Sequence, residues 1–462
     1  MNKCVLGIDL GTSSVKALCR FTDGSVIEAA GAYSENSCEG FYDGVKKVIK
    51  TLAPHMEGLA GIGLSSQVGT YLIETNEKIS IMPWNKNSDD TYLKRLLSAF
   101  KKEDFLEEIT MPHPNILSYP LPKLMEIQEC FQHVKRVFQP KDFLCERLTG
   151  NMASDIYSWR GLTNLKTGKY SEKLLNFTGF DSSKLPRLTG LSDCCGVLLP
   201  DLAKSLCLPE NLPVFTGCND FFASLIGMGI KNCGDAFDIT GTSEHIGVIS
   251  KNIDMETTLV SGGYFKHNVT YGVTASSGVA MDWGLRNFKA DLGDLGEILE
   301  KNPPIFLPYM NGERAPIWDS DAGSVFFGIN GNTEKAELKY SVFEGACFNL
   351  FHIRENIDHD IKKLVVSGGA ARDEFLNMLK AEILNIPVIT MTENNTSALG
   401  AAMLAGIGAG FHVGLSEAME SVCIKKREII PTGKYSDLLS KRFSIYKKLY
   451  PLLKDEFKEF KK

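Results

Sequence analysis

The chain reads as an α/β protein built from two copies of one domain type. Short β-rich runs alternate with helical patterns along its length, as in proteins of that class. At 462 residues it outgrows one hydrophobic core, since single cores stop growing near ~250–300 residues. A strand–Gly-Thr-Ser–strand unit occurs twice, about half a chain apart, and recurrence of this kind marks repeated domains.

Taken in order, Cys4–Ile8 predicts a strand that turns at Gly11-Thr12-Ser13-Ser14 and returns as Val15–Phe21. Leu59–Leu64, Tyr71–Glu74 and Ile79–Met82 predict further strands, and proline-marked loops run from Met111 to Pro122. Val214–Thr216 is a brief strand before a helix that starts near Asp220. Gly234–Thr240 and His245–Ser250 then flank the second turn, Gly241-Thr242-Ser243. A strand at Leu364–Val366 runs into Ser367-Gly368-Gly369-Ala370, with a helix from Asp373 onward. The uncharged stretch Asn394–Val413 is rich in Gly, Ala, Ser and Thr and predicts a tightly packed helix. Phe443, Tyr446, Leu449 and Leu453 recur at helical spacing near the end. The expected domains are 1–229, 230–424 and a helical tail over 425–462.

Composition is that of an ordinary globular protein, and a formal net charge of −6 speaks against a nucleic-acid partner. The cysteines form no C-x-x-C pair or metal-ligand spacing and read as reduced core thiols. The first apolar run, Val5–Ile8, is too short for a signal sequence, and no stretch predicts a membrane span, so a cytoplasmic location is expected. Phe326-Phe327 reads as core.

Four features carry possible chemistry. In the first hairpin, Gly11 permits a tight turn, and the amides and hydroxyls of Gly11 to Ser14 can face phosphate oxygens. Asp9 is an acid within an apolar strand, where a hydrated Mg²⁺ beside a triphosphate would relieve the cost of burial; an ordinary hairpin with a turn-capping Asp is the alternative. Aligning the two Gly-Thr-Ser turns sets Asp9 against Ile239, so the acid occurs once while the turn occurs twice. Asp238 falls one residue out of register, on the other face. Gly368-Gly369 before a helix suits a ligand crevice or close packing. Asp220, in Thr216-Gly217-Cys218-Asn219-Asp220, either caps a helix or takes the proton of a substrate hydroxyl. No Walker-type P-loop is present.

Together these pieces resemble the FGGY carbohydrate kinases, of the actin-like ATPase superfamily. The resemblance runs in order through the Asp9–Ser14 turn, Pro140-Lys141-Asp142-Phe143, Leu148-Thr149-Gly150, Gly217–Ala223, Gly241-Thr242-Ser243, Phe306-Leu307-Pro308-Tyr309 and Gly312-Glu313-Arg314-Ala315-Pro316. Ser324–Glu344, Gly368-Gly369 and Leu399-Gly400-Ala401-Ala402 complete it. It implies two actin-like (ribonuclease-H-like) domains flanking a deep catalytic cleft, with ATP and Mg²⁺ as cofactors. It implies Asp220 as catalytic base and Asp9 near the metal. Gly11, Thr12, Ser13, Ser14, Gly241, Thr242, Ser243, Gly368, Gly369 and Ala370 would line the nucleotide. Gln67, Trp84, Asn85, Asn219 and Asp220 would line the acceptor.

The chain departs from the family pattern on the acceptor side. Ser65-Ser66-Gln67-Val68-Gly69 keeps the Gln of Ser-Gly-Gln-Met-His and lacks the His. Trp84-Asn85-Lys86-Asn87 has a lysine where Trp-x-Asp-x-Arg has its acid, and Glu126 replaces a usual Trp. Asp373 and Asn377 stand near positions more often Asn and Gln. Lys86 is either a surface lysine or a partner for a substrate carboxylate; Trp84 either stacks on a sugar or packs; Glu313 and Arg314 read as a structural ion pair. The expected reaction moves the γ-phosphate of MgATP to a hydroxyl of a sugar or polyol, a ketopentose such as xylulose first. Sedoheptulose, gluconate, glycerol and erythritol are alternatives, as is an actin-like ATPase without an acceptor alcohol. Neither nucleic acid nor membrane is an expected partner, and a homodimer is left open.

Overall fold

The computed structural model describes residues 2–86, 88–112, 119–422 and 427–461. The chain divides into two units, Met1–Lys231 with Asn395–Cys423, and Asn232–Asn394 with Ile424–Lys462. The first expected boundary, 229/230, falls close to the division at 231. The second, 424/425, lies outside the described residues, as do Asn87 and part of the Met111–Pro122 loop. One expectation is corrected: residues 395–422, assigned to the second domain by their position, pack with the first unit. The tail is likewise not separate, because its helix Ser436–Phe460 buries Leu439, Phe443, Tyr446 and Leu449 in the second unit's core.

Unit one is centred on a six-stranded sheet in the order Cys194–Val197, Pro213–Asn219, Leu59–Ser66, Cys4–Leu10, Ser14–Phe21 and Val26–Ala32. The Cys4, Leu59 and Pro213 strands run parallel. The Cys4 strand is buried from end to end, which explains its unbroken apolar run apart from Asp9. Helix Cys38–Leu52, capped by Ser37 accepting from the Gly40 amide, packs against the sheet with Phe41, Val45, Val48 and Ile49.

The helix Thr396–Gly408 joins this unit because its backbone and that of its neighbours are nearly bare. A Cβ on Gly7 would meet the Ala398 carbonyl oxygen at 1.9 Å, and one on Gly63 the Ala401 oxygen at 2.0 Å. Gly400 lies equally close to Ala223 of the helix Asp220–Gly227, at 1.9 Å. Small residues thus let this helix seat directly on two strands and another helix.

Unit two repeats the plan. Its sheet runs Val260–Tyr264, His267–Val273, His245–Ser250, Ala236–Thr240, Leu364–Gly368, Val388–Thr390 and Arg427–Ile429. As in unit one, a central strand has an antiparallel hairpin partner on one side and parallel strands on the other. The duplicated turn therefore reflects a duplicated sheet. The helix Lys335–Arg354 passes through its core, with Tyr340, Phe343, Cys347, Phe348 and Leu350 buried. Phe326 is partly buried, but Phe327 is 51% exposed on the short strand Val325–Phe327, so that pair is not core. The described cysteines are all free, though Cys130, Cys194 and Cys207 are exposed rather than buried. No helix among the described residues is long and apolar enough to cross a membrane.

Candidate active site

In unit one, the expected residues gather at the carboxyl ends of three parallel strands, where open α/β sheets hold their ligands. Asp9 and Gly11 close the Cys4 strand, Gln67 follows the Leu59 strand, and Asn219-Asp220 end the Pro213 strand. Register locks these ends together: Asp9 is opposite Ser65, Leu10 opposite Ser66, and Asn219 opposite Ser66 on the far side. The Gln67 amide adds a bond to the Leu10 carbonyl at 2.8 Å.

Asp9 is 5% exposed. Its two oxygens accept from Ser65 Oγ at 3.1 Å and from Ser397 Oγ at 2.6 Å. Burial raises its pKa, while the Ser397 hydroxyl, the charge of Lys16 and the Ser65 hydroxyl pull it back. Neither serine was expected. Ser397 arrives on the Gly-rich helix, 388 positions away in sequence, and no local pattern announces such a contact.

Asp220 opens its helix but does not cap it. That role belongs to Asn219, whose Oδ1 accepts the Phe222 amide at 3.0 Å and whose Nδ2 donates to the Tyr157 carbonyl at 2.7 Å. Asn219 is 2% exposed, with both polar ends of its side chain engaged within the protein. Asp220 keeps part of its surface open and accepts the Phe221 amide at 2.9 Å. Burial and the neighbouring charge of Asp9 push its pKa up to about 7, against the pull of the Phe221 and Val68 amides. A carboxyl that titrates there is suited to proton transfer near neutrality.

The first Gly-Thr-Ser turn is closed by the Gly11 amide on the Ser14 carbonyl at 3.0 Å. Tyr33 Oη braces it by donating to the Gly11 and Ser14 carbonyls. The Gly11 amide is therefore spent inside the turn, while Thr12 and Ser13 stand exposed. Thr12 Oγ1 accepts from Trp84 Nε1 at 3.1 Å, which leaves its own O–H to donate. Trp84 thus borders the turn, and its amide donates to Thr70 Oγ1. Asn85 sits exposed on a tight turn closed by the Lys86 amide on the Pro83 carbonyl. Gln67 is 6% exposed.

Two of the departures from the family pattern meet in space. Lys86 Nζ lies 3.4 Å from Glu126 Oε1, and Ser88 Oγ donates to Glu126 Oε2 at 2.6 Å. The lysine that replaces an acid is thus matched by an acid that replaces a tryptophan.

In unit two, Gly241 and Thr242 are exposed, and Ser243 Oγ is buried without a hydrogen-bond partner. Thr240 Oγ1 donates to the Ser367 carbonyl and accepts the amides of Ala370 and Ala371 at 3.1 and 3.2 Å, joining the two expected nucleotide turns. Gly368 has φ +94°, and a Cβ there would meet the Thr240 oxygen at 2.0 Å, so this glycine serves close packing. A Cβ on Gly369 would meet nothing within 4 Å, which leaves room on that side for a ligand. Asp238 faces inward as register demanded, paired with Lys380, which also holds Glu244 just after the turn. Glu313 accepts the Ala275 and Arg314 amides and the Asn349 side chain, and the charge of Arg314 beside it favours its ionised form. Asp373 caps the following helix through the Leu376 amide, and Asn377 donates to the Ala371 carbonyl.

The model of the FGGY family of carbohydrate kinases, N-terminal domain, matches residues 4–227, and the C-terminal domain model matches residues 237–409. A xylulose kinase of Staphylococcus xylosus is 28% identical, covering 96% of this chain and 99% of its own. A gluconokinase of Bacillus licheniformis is 25% identical over 89% of this chain and 88% of its own. The crystal structure of a ligand-bound xylulose kinase from Lactobacillus acidophilus shares the fold, with a TM-score of 0.84 at 23% identity over 99% of this chain and 100% of that one. The chain, with its two actin-like α/β units, belongs to the FGGY family of carbohydrate kinases.

Proposed function

We propose that this kinase transfers the γ-phosphate of ATP to a hydroxyl of a small sugar, xylulose first, with Asp220 as general base. The observation that carries the reading is the Asp220 carboxyl, part open at the strand ends and raised to about 7 by burial and by Asp9. In its ionised form it takes the acceptor's proton as the acceptor oxygen bonds the γ-phosphorus and the bond to ADP breaks. The exposed hydroxyls of Thr12 and Ser13 in unit one, and separately that of Thr242 in unit two, are suited to phosphate oxygens. Gly369 leaves space beside the adenosine.

Among the described residues no three His, Cys, Asp or Glu side chains stand close enough to hold a metal by themselves. Mg²⁺ keeps several waters and takes one or two carboxylates beside substrate phosphates; here Asp9 would be the carboxylate. Bound in that way, the cation would offset phosphate charge.

Xylulose comes first because relatives of that name align over nearly the full chain. The pairing of Lys86 with Glu126 supports a neutral acceptor, since it balances the lysine without a substrate carboxylate. Work on ATP and free thiols fit a reducing, ATP-holding compartment, the cytoplasm. The test is ADP release against a panel of ketoses, sugar acids and polyols. Release should depend on the sugar and be fastest with xylulose; release indifferent to any sugar would favour a plain ATPase. Asp220→Asn should lower turnover by ~10²-fold or more while ATP binding survives.

A further inference from the structure

The motif Pro140-Lys141-Asp142-Phe143 takes no part in this chemistry, yet Lys141 is 1% exposed and Asp142 0%. Buried charges persist only when paired and hydrogen-bonded. Lys141 Nζ lies 3.2 Å from Asp142 Oδ1 and 3.1 Å from Asp155 Oδ2. Asp155 in turn shapes a buried turn. Its Oδ1 accepts the amides of Tyr157 and Ser158 at 2.9 and 3.0 Å, and its Oδ2 accepts the Ser158 hydroxyl at 2.5 Å. Gln139 Nε2 holds the same turn through the Ser158 carbonyl.

This turn presents the Tyr157 carbonyl to Asn219 Nδ2, and Asn219 caps the helix on which Asp220 is the first residue. The Tyr157 ring also lies 4.5 Å from that of Phe222 on the same helix. On its other side, the Lys141 amide donates to Ser66 Oγ at 3.1 Å, one residue before Gln67. One buried motif is therefore bonded to both strand ends that carry expected acceptor groups.

We propose that the Lys141–Asp155 pair is a positioning device that aims Asp220 through the Tyr157–Asn219 bond. This rests on the assignment of Asp220 as base. A cluster that only holds the fold together would cost stability and spare the rate. A positioning device costs turnover in a folded enzyme, because a misplacement near 1 Å can lower a rate ~100-fold.

The test uses the full-length enzyme. Asn219→Ser retains a hydroxyl to cap the Phe222 amide and removes the donor to Tyr157. Its kcat should fall about ten- to hundredfold, with KM for ATP and the melting temperature near those of the parent. Asp155→Asn retains the acceptor for the two amides and breaks the charge pair. The double variant should lose no more rate than the worse single one, as expected for two sites on one path. Additive losses, parental kcat in Asn219→Ser, or a loss confined to melting temperature would overturn the proposal. If Asp155→Asn does not fold, Asn219→Ser decides alone. Asp220→Asn keeps the two claims apart. Parental turnover there removes the base itself, whereas an inactive Asp220→Asn beside a normal Asn219→Ser removes only the positioning.

Discussion

Asp9 and Asp220 sit at strand ends on either side of the Leu59–Ser66 strand, and the charge of Asp9 makes Asp220 harder to ionise. For Asp220 this has a consequence for stability as well as rate. Its folded value of about 7 lies above the ordinary 3.8, so between these values the folded chain keeps a proton that the unfolded chain has lost. Stability from this group is complete below the unfolded value and drains away as pH rises toward about 7. Asp220→Asn removes the titration. Its melting temperature relative to the parent should climb from about pH 5 to about pH 8 and then level off; a gap that stays flat in differential scanning calorimetry would contradict this. The parent's kcat should rise over the same range as the base ionises. These two acids were legible in the sequence because each stands in a short local pattern, an apolar strand or a strand-to-helix junction. Ser397 was not, because a hydroxyl in a Gly- and Ala-rich stretch says nothing about which distant carboxylate it will meet. Nor was the capping by Asn219 rather than Asp220, since either side chain can cap and only the backbone direction decides.

At the level of elements, the glycines separate into those that fix the fold and those that leave space. The strands and the helix at Asp220 could be read from apolar runs and Gly-Thr-Ser turns. What those patterns could not reveal is that Gly7, Gly63 and Gly400 are contact points. Gly400→Ala would force its new methyl into the Ala223 carbonyl, at a cost of ~1–3 kcal/mol as for other overpacked sites. Denaturant melts should register it, and an unchanged midpoint would mean the helix sits less tightly than described. Gly369→Ala meets nothing within 4 Å and should leave the midpoint alone. Its predicted mark is a higher KM for ATP, because the methyl would occupy the space assigned to adenosine.

On the scale of the whole molecule, each unit has its own apolar core. The last helix is fastened into the second one by Arg442, whose Nε and Nη2 donate to the two oxygens of Glu344 at 2.6 Å each. Both residues are nearly inaccessible, with Glu344 at 0% and Arg442 at 4%. Arg442→Met would strand a buried carboxylate, a change that typically costs ~3–5 kcal/mol. Hydrogen exchange read by mass spectrometry should show protection lost in peptides of 232–394 and 436–460, with 2–231 largely spared; equal loss in both would mean that the two cores do not open separately. The two-part plan was visible from the repeated turn, but the path of the chain was not, because position along a sequence does not say which core a returning segment will join.

That path carries a cost during synthesis. The segment that completes the first unit begins at residue 395, after the ribosome has left that unit at residue 231 and made the intervening part of the second. At ~5–20 residues per second the wait is roughly ten to thirty seconds. Through that interval the nascent first half lacks the helix that, in the folded protein, covers the bare backbone at Gly7 and Gly63.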